Sequence, residues 1–328
     1  MKKIRMIVVG FGFMGQTHAG SISRMPGAEL AAVVDPVDPA KLSHSSGNLR
    51  TRRIEPEALV NVPFFKSLDE ALAKVAADAV VIAAPTAFHA ENLLTALAAG
   101  KHVFVEKPLC ADMAEAETLR AAAEAADRVI QVGFVTRFKP AYRHLADAVK
   151  SGEYGKMRGL FLSRYTGAPA WRAAGGGNPG MSDAIIDLCI HDIDFAISLF
   201  GEPEAVDVDP AIRRHFGTSL LESSWRFHDG PPVRIEGGFL LPPTVPFRAG
   251  YLAMFEFATL EFGTDDAECA VYTHEGGSVI PFPPDFDEFE AEMRGFRDCV
   301  AAGRQPGPDF RAAYTDMVWI DKLYHPQA

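Results

Sequence analysis

The sequence predicts a two-domain α/β chain: a doubly wound parallel sheet over residues 1–135, then an α+β domain over 136–328 with an open, mostly antiparallel sheet. Three observations predict it. Apolar β-rich runs alternate with helix-patterned stretches as far as about Val135, the sign of right-handed βαβ crossovers and a parallel sheet covered on both faces. From Glu204 to Thr273 strand-like runs follow one another with no helix-length periodic segment between them, which favours antiparallel pairing. Finally, 328 residues with 48% apolar content are long for one core and apolar enough for two.

The first strand, Ile4–Val9, runs directly into Gly10-Phe11-Gly12-Phe13-Met14-Gly15, and residues suited to a helix follow. A lone G-x-G-x-x-G is weak, but between a strand and a helix it is a dinucleotide fingerprint. Gly10 permits the tight turn and Gly12 lets backbone amides approach a pyrophosphate. Gly15 lets the helix pack on the sheet with its positive N-terminal end towards the phosphates. The second strand, Glu29–Val34, ends at Asp35-Pro36, with Asp35 twenty positions past Gly15. A carboxylate there accepts hydrogen bonds from the adenosine ribose and repels a 2′-phosphate, so NAD is favoured. The basic cluster Arg50, Arg52 and Arg53, in a polar stretch readable as loop or frayed helix, leaves NADP open.

Further strands are expected at Val62–Phe65, Ala79–Ala83, His102–Val105 and Val129–Val132, with helices at Glu91–Ala99 and Asp112–Ala126. Ligands of such sheets gather beyond the carboxyl ends of the strands. After the fourth strand come Ala84, Pro85 and Thr86, able to bend the chain over a cofactor, and then His89, readable as a helix-start residue or a cofactor neighbour. After the fifth come Glu106-Lys107-Pro108. A lysine at this edge lies where a nicotinamide ring is expected, and an amine partly withdrawn from water can exchange a proton near neutral pH. Pro108 restricts the residue before it to extended conformations, which aims the lysine. Spacing alone favours a surface lysine in a loop.

Pro140–Lys150 reads as a linking helix and Lys156–Tyr165 as the first strand of the second domain. A glycine-rich loop, Thr166–Gly180, leads into a helix expected from Met181 to Phe200 and closed by Gly201. Ile186, Ile190, Ile193 and Ile197 form an apolar stripe on it. Asp187, His191 and Asp194 repeat that spacing one residue over and are expected to share a polar face. A carboxylate and an imidazole on one face suit an alcohol dehydrogenase, because hydride loss from C–OH requires the hydroxyl proton to be taken up. A plain surface Asp–His pair has the same spacing. A metal is not expected, since no second histidine or cysteine completes a ligand set.

The remaining strands are expected at Glu204–Asp209, Leu220–Phe227, Val233–Phe239, Leu252–Phe262 and Glu268–Tyr272. Phe255, Phe257 and Phe262 read as core or interface residues. Two helices, Asp285–Ala302 and Pro308–Tyr324, close the chain and can return towards the first domain.

The fingerprint, Pro85-Thr86 with His89, and above all Glu106-Lys107-Pro108 resemble the Gfo/Idh/MocA oxidoreductase family. So do Gly133-Phe134 with Arg137-Phe138 and Pro140, Trp171-Arg172, Gly175-Gly176-Gly177, and Asp187-Leu188-Cys189-Ile190-His191-Asp192. The resemblance covers the chain to about Gly201. It implies an N-terminal Rossmann domain binding NAD(P) through Gly10 to Gly15, Asp35, Pro36, Ala84, Pro85, Thr86, His89, Glu106 and Lys107. It also implies that Lys107, Asp187 and His191 serve the chemistry, with Arg137, Trp171 and Arg172 towards the substrate. The activity implied is hydride transfer between NAD(P) and a secondary alcohol or ketone of a sugar, polyol or related cyclic molecule. Two alternatives stay open: an enzyme with tightly held, recycled NAD giving isomerisation or glycoside cleavage, and a cofactor-binding sensor without chemistry. The family's open sheet packs between subunits, which implies a homo-dimer or homo-tetramer.

Net charge is −11, so no basic footprint argues for nucleic acid or an anionic membrane. Cys110, Cys189, Cys269 and Cys299 are far apart and read as reduced thiols. The apolar run after Lys2-Lys3 is too short for a signal peptide and enters the glycine fingerprint without a cleavage site. No stretch reaches the roughly 18 consecutive apolar residues of a membrane span. A cytoplasmic location is expected.

Overall fold

The computed structural model describes residues 3–37, 51–167, 183–242, 244–264 and 267–325. The chain divides into two compact units, residues 1–135 with 287–317, and residues 136–286 with 318–328.

The first unit is built on a six-stranded parallel sheet. Its strands are β1 (Ile4–Val9), β2 (Ala28–Val34), β3 (Phe64–Phe65), β4 (Ala79–Ile82), β5 (His102–Glu106) and β6 (Ile130–Gly133), in the order 3-2-1-4-5-6. That order reverses direction beside β1, which opens a crevice at the carboxyl ends of the strands. Met6, Val8, Val33, Val81 and Phe104 are fully or almost fully buried, as strands covered on both faces must be. Helices α1 (Phe13–Arg24), α2 (Leu68–Lys74), α3 (His89–Ala98) and α4 (Met113–Ala125) make the crossovers. Ser67 and Asp112 cap α2 and α4 by accepting the amides of Glu70 and Glu115.

The second unit holds an eight-stranded sheet. Helix α5 (Pro140–Ser151), started by Pro140 and stopped by Gly152 at φ +68°, leads into its central strand β7 (Met157–Gly167). A π-helical turn (Ala184–Cys189) runs into α6 (Ile190–Phe200), followed by β8 (Ala205–Val208) and α7 (Pro210–Phe216). Then come β9 (Leu220–Arg226), β10 (Val233–Leu241), β11 (Arg248–Phe255), β12 (Ala258–Gly263), β13 (Glu268–Thr273) and β14 (Gly276–Pro281). The sheet order is 14-13-12-11-7-10-9-8, antiparallel at every pair except β10 with β7. The chain ends in α8 (Glu288–Ala302), capped by Asp287, and α9 (Phe310–Tyr324).

Four expectations for this half change. The helix expected over Met181–Phe200 is described from Asp183 onwards, and its first turn is π rather than α. The strand expected over Leu252–Phe262 is the hairpin β11–β12, turned at Glu256-Phe257, where Gly155 approaches the Phe257 ring so closely that a Cβ would lie 2.9 Å from it. A helix, α7, does interrupt the strands. Its signal was Asp209-Pro210, a capping carboxylate followed by a proline at the first helical position. The glycine-led edge strand β14 was not anticipated, because Gly276-Gly277-Ser278 lacks the β-branched composition that marks a strand.

Candidate active site

In the first unit the three fingerprint glycines have three different physical reasons. Gly10 has φ +83°, and a Cβ on it would sit 2.5 Å from the Ala84 backbone, where the chain leaves β4. A Cβ on Gly15 would fall 1.9 Å from the Gly10 carbonyl oxygen, so α1 can start this close to β1 only with glycine there. Around Gly12, by contrast, no other part of the described residues, its chain neighbours and own helix backbone aside, lies within 4 Å of an added Cβ. Gly12 is also the N-cap of α1, whose first turn carries no acidic side chain. Helix geometry leaves the first-turn amides without intrahelical acceptors, so a positive, open helix end faces free space. That suits a pyrophosphate.

Asp35 reaches back to this turn. Its Oδ2 accepts the Phe11 amide at 2.7 Å and its Oδ1 the Val37 amide at 2.8 Å, while Gln16 Nε2 donates to the Phe11 carbonyl at 3.1 Å. The Phe11 ring itself is buried in the core, so at this position only the backbone faces the crevice. Phe13 and Met14 are half-buried, and the Arg53 guanidinium stands 4.8 Å from the Phe13 ring centroid. Residues 52–54 lie so close to α1 that a Cβ on Gly20 would be 2.6 Å from the Arg53 carbonyl carbon. Arg50 lies outside the described residues.

Beyond β4, Ala84 and Pro85 lead into a 3-10 turn, Thr86–Phe88. His89 is buried, with Nε2 2.9 Å from the Ala84 carbonyl and Nδ1 2.8 Å from the Pro108 carbonyl. Its ring ties the loop after β4 to the loop after β5. Burial lowers its pKa, against the pull of the two carbonyls. Glu106 closes β5, and Lys107 follows, half-buried, with its amide 3.1 Å from Glu106 Oε2 and a cis peptide to Pro108. Burial pushes the nearby Cys110 thiol up to about 12, so it stays protonated.

In the second unit the π turn and α6 carry the expected Asp–His pair. From Asp183 to Ile197 every residue is buried except Asp187 and His191. Those two polar side chains are half-buried in a segment otherwise buried throughout. The stripe of Ile186, Ile190, Ile193 and Ile197 is buried. Asp194 does not share the open face: it is fully buried, and Arg137 binds it two-pronged at 2.7 and 2.5 Å. The reason is charge pairing, since a carboxylate withdrawn from water requires a cationic, hydrogen-bonding partner. Arg137, expected towards the substrate, thus has two of its donors on Asp194. Asp192 is held the same way by Arg164, at 2.8 Å on both oxygens, and burial opposes the Arg164 charge while Asp192 sustains it.

Residues outside the sequence expectations set this segment in place. Asp183 caps the π turn, accepting the amides of Ile185 and Ile186 at 3.1 and 3.0 Å, and the Tyr324 hydroxyl donates to it at 2.7 Å. Burial raises the Asp183 pKa above its ordinary value. Gly237 in β10 makes room for the turn, since a Cβ there would be 2.6 Å from Cys189 Sγ. The sequence signal for Asp183 was an acidic residue just before an apolar run; for Tyr324 there was none. Trp171, Arg172 and Gly175 to Gly177 lie outside the described residues, and among the described residues no group of three or more His, Cys, Asp or Glu is placed to hold a metal.

The profile of an oxidoreductase family with an NAD-binding Rossmann fold, Gfo/Idh/MocA, matches residues 4–134, and the C-terminal domain of the same family matches residues 142–280. The chain belongs to the Gfo/Idh/MocA family. It is similar to the inositol 2-dehydrogenase of Leifsonia xyli, with 36% identity over 272 residues, covering 82% of this chain and 70% of the relative. It is also similar to the NAD(+)-dependent scyllo-inositol 2-dehydrogenase of Bacillus subtilis, with 27% identity over 93% of this chain and 88% of the relative. Among solved structures, levoglucosan dehydrogenase in complex with NADH and L-sorbose has a TM-score of 0.82 at 19% identity, covering 99% of this chain and 96% of the other. Myo-inositol 2-dehydrogenase of Lactobacillus plantarum has a TM-score of 0.77 at 20% identity, covering 99% and 97%. These last two show the same fold. The Gfo/Idh/MocA chain described here is an NAD-dependent oxidoreductase of the dehydrogenase type, and the turn at Gly10 to Gly15, open above Gly12, fits that cofactor.

Proposed function

We propose that the chain oxidises a secondary alcohol of a cyclic polyol or sugar, and reduces the matching ketone, with Lys107, His191 and Asp187 as its working side chains. The observation that carries this reading is that Asp187 and His191 alone are only half-buried in the otherwise buried segment from Asp183 to Ile197. Two relatives named for inositol support the substrate class. Residues Gly10 to Gly15, Asp35, Pro36, Ala84, Pro85, Thr86, Glu106 and Lys107 hold the cofactor, and its nicotinamide supplies the hydride acceptor. His191 takes the hydroxyl proton, as an imidazole titrates near neutrality. Lys107 polarises the oxygen and shares the proton work, while Asp187 accepts a neighbouring hydroxyl and orients the ring. Arg137, Trp171 and Arg172 belong to the substrate side of this reading.

The test is a panel of myo-inositol, scyllo-inositol, glucose and open-chain polyols with NAD and NADP, followed by absorbance of the reduced nicotinamide. Turnover with a cyclic polyol or sugar supports the reading. Cofactor binding with no reduction across the panel overturns it in favour of a sensor.

The same reading includes a cytoplasmic enzyme that is a homo-dimer or homo-tetramer through the second sheet. Phe161 and Leu252, paired across β7 and β11, are partly exposed on one sheet face, with Arg234 and Glu261 on the flanking strands. A mixed apolar and charged band of this kind is suited to self-association. Light scattering of the wild type and of Leu252→Glu tests it: a monomeric wild type would remove the proposal.

A further inference from the structure

His18 lies in α1, three residues past Gly15, and its side chain is fully buried. Its ring packs edge-on against Phe104 at 5.0 Å and Phe289 at 6.4 Å. Its Nε2 is 2.7 Å from Glu106 Oε1. With the carboxylate oxygen as the acceptor, Nε2 is the nitrogen that donates. The other carboxylate oxygen, Oε2, accepts the amide of Lys107 at 3.1 Å. On the third side stands Gly133 of β6, directly opposite Glu106 in the sheet, where a Cβ would lie 3.0 Å from Oε2. The carboxylate is therefore held by an imidazole on one oxygen, by the Lys107 amide on the other, and by a backbone wall that only glycine leaves open.

Two roles are conceivable for such a couple, and the geometry separates them. A proton relay from Lys107 through Glu106 and His18 needs an exit beyond the imidazole. The far nitrogen, Nδ1, is buried with no hydrogen-bond partner among the described residues, so no line of hydrogen bonds continues through them. The arrangement holds; it does not conduct.

We propose that His18 is a positioning residue: through Glu106 it fixes the backbone from which the Lys107 amine extends. The inference rests on the reading of Lys107 as an acid–base group. Misplacing a reacting group by about 1 Å costs roughly 100-fold in rate, so a loosened Lys107 lowers kcat while KM for NAD stays near its value.

The experiment compares His18→Phe, which keeps a ring and removes the donor, with His18→Gln, whose side-chain amide can place an N–H near the Nε2 position. Each purified, folded variant is examined for amide hydrogen exchange of the peptide spanning Glu106 to Leu109 without cofactor, for NAD binding by fluorescence, and for kcat with myo-inositol or the best alcohol of the panel. Expected are faster exchange and a roughly 10- to 100-fold lower kcat in His18→Phe, with most of both recovered in His18→Gln. Unchanged exchange in His18→Phe overturns the proposal whatever the rates do. Faster exchange with unchanged kcat also overturns it if Lys107→Ala is inactive. If Lys107→Ala is itself as active as the wild type, the reading of Lys107 fails instead. Equal loss in His18→Gln and His18→Phe points to a relay and overturns a positioning role.

Discussion

Asp35 Oδ2 accepts the Phe11 amide at 2.7 Å, so the carboxylate at the end of β2 fastens the glycine turn at the end of β1. The group proposed to meet the adenosine ribose is thus also part of what shapes the glycine turn. Each oxygen has a second lone pair, so the two tasks are compatible. Asp35→Ala is expected to weaken NAD binding and to lower stability by about 1.5–3 kcal/mol, the usual range for a hydrogen bond to a charged group. Titrations with NAD and NADP check it, alongside thermal melts. An unchanged NAD/NADP ratio would count against the ribose contact, and an unchanged melt against the fastening.

The glycines separate folding from binding. Gly12→Ala meets open space and is expected to fold with a melting temperature close to wild type while losing NAD affinity. Gly15→Ala would drive its Cβ into the Gly10 carbonyl and is expected to misfold or melt far lower. Equal melting temperatures for the two variants would contradict the assignment.

Replacing either proposed proton-handling group should spare the cofactor. Lys107→Ala and His191→Ala are each expected to lower kcat by roughly 100- to 10,000-fold, the span typical of general acid–base groups, with NAD affinity within a few-fold of wild type. Rapid turnover by both variants would remove them from the site.

The buried ring of His89 predicts a dependence on acid. Burial sets its pKa below the unfolded value near 6.5, so the unfolded chain binds the proton more readily. Its contribution is complete above about pH 6.5 and declines as pH falls towards the lowered folded-state pKa. Melting temperatures measured from pH 7 down to pH 5 should therefore drop more steeply for the wild type than for His89→Asn. Parallel slopes would show that His89 carries none of the effect.

Tyr324 reaches Asp183 from the last turn of α9, and Arg213 donates to the carbonyls of Leu323 and Tyr324. Tyr324→Phe leaves a largely buried carboxylate with one donor fewer. A loss of about 1–3 kcal/mol is expected, measured by urea unfolding, together with a raised KM for the polyol. A stability equal to wild type would mean that the backbone amides of Ile185 and Ile186 suffice as partners.

The first unit was legible because its elements are local. Its strands are short, largely apolar runs, several of its turns carry glycine or proline, and the fingerprint joins three of these signals within twelve residues, Ile4 to Gly15. Asp187 and His191 were legible from spacing alone, as polar positions beside an isoleucine stripe. Asp194 was misread because periodicity gives an angle around a helix and says nothing of an arginine 57 residues earlier in the chain. Tyr324, 141 residues from Asp183, and His18, 88 residues from Glu106, escaped for the same reason. The hairpin at Glu256-Phe257 was hidden because its turn lacks the usual Asn-Gly or Asp-Gly signal.

The π turn at Ala184–Cys189 is an α-helix that has taken in one extra residue. The angular offset between Asp187 and His191 is therefore written in the number of residues, not in their identities. Point substitutions nearby can change polarity, size or charge and leave that offset intact. Losing a single residue between Asp183 and Ile190 would rewind the turn and swing Asp187 by about 100°, the rotation of one α-helical step. Descendants of this chain can drift in chemistry there by substitution, but they can re-aim the carboxylate only by insertion or deletion.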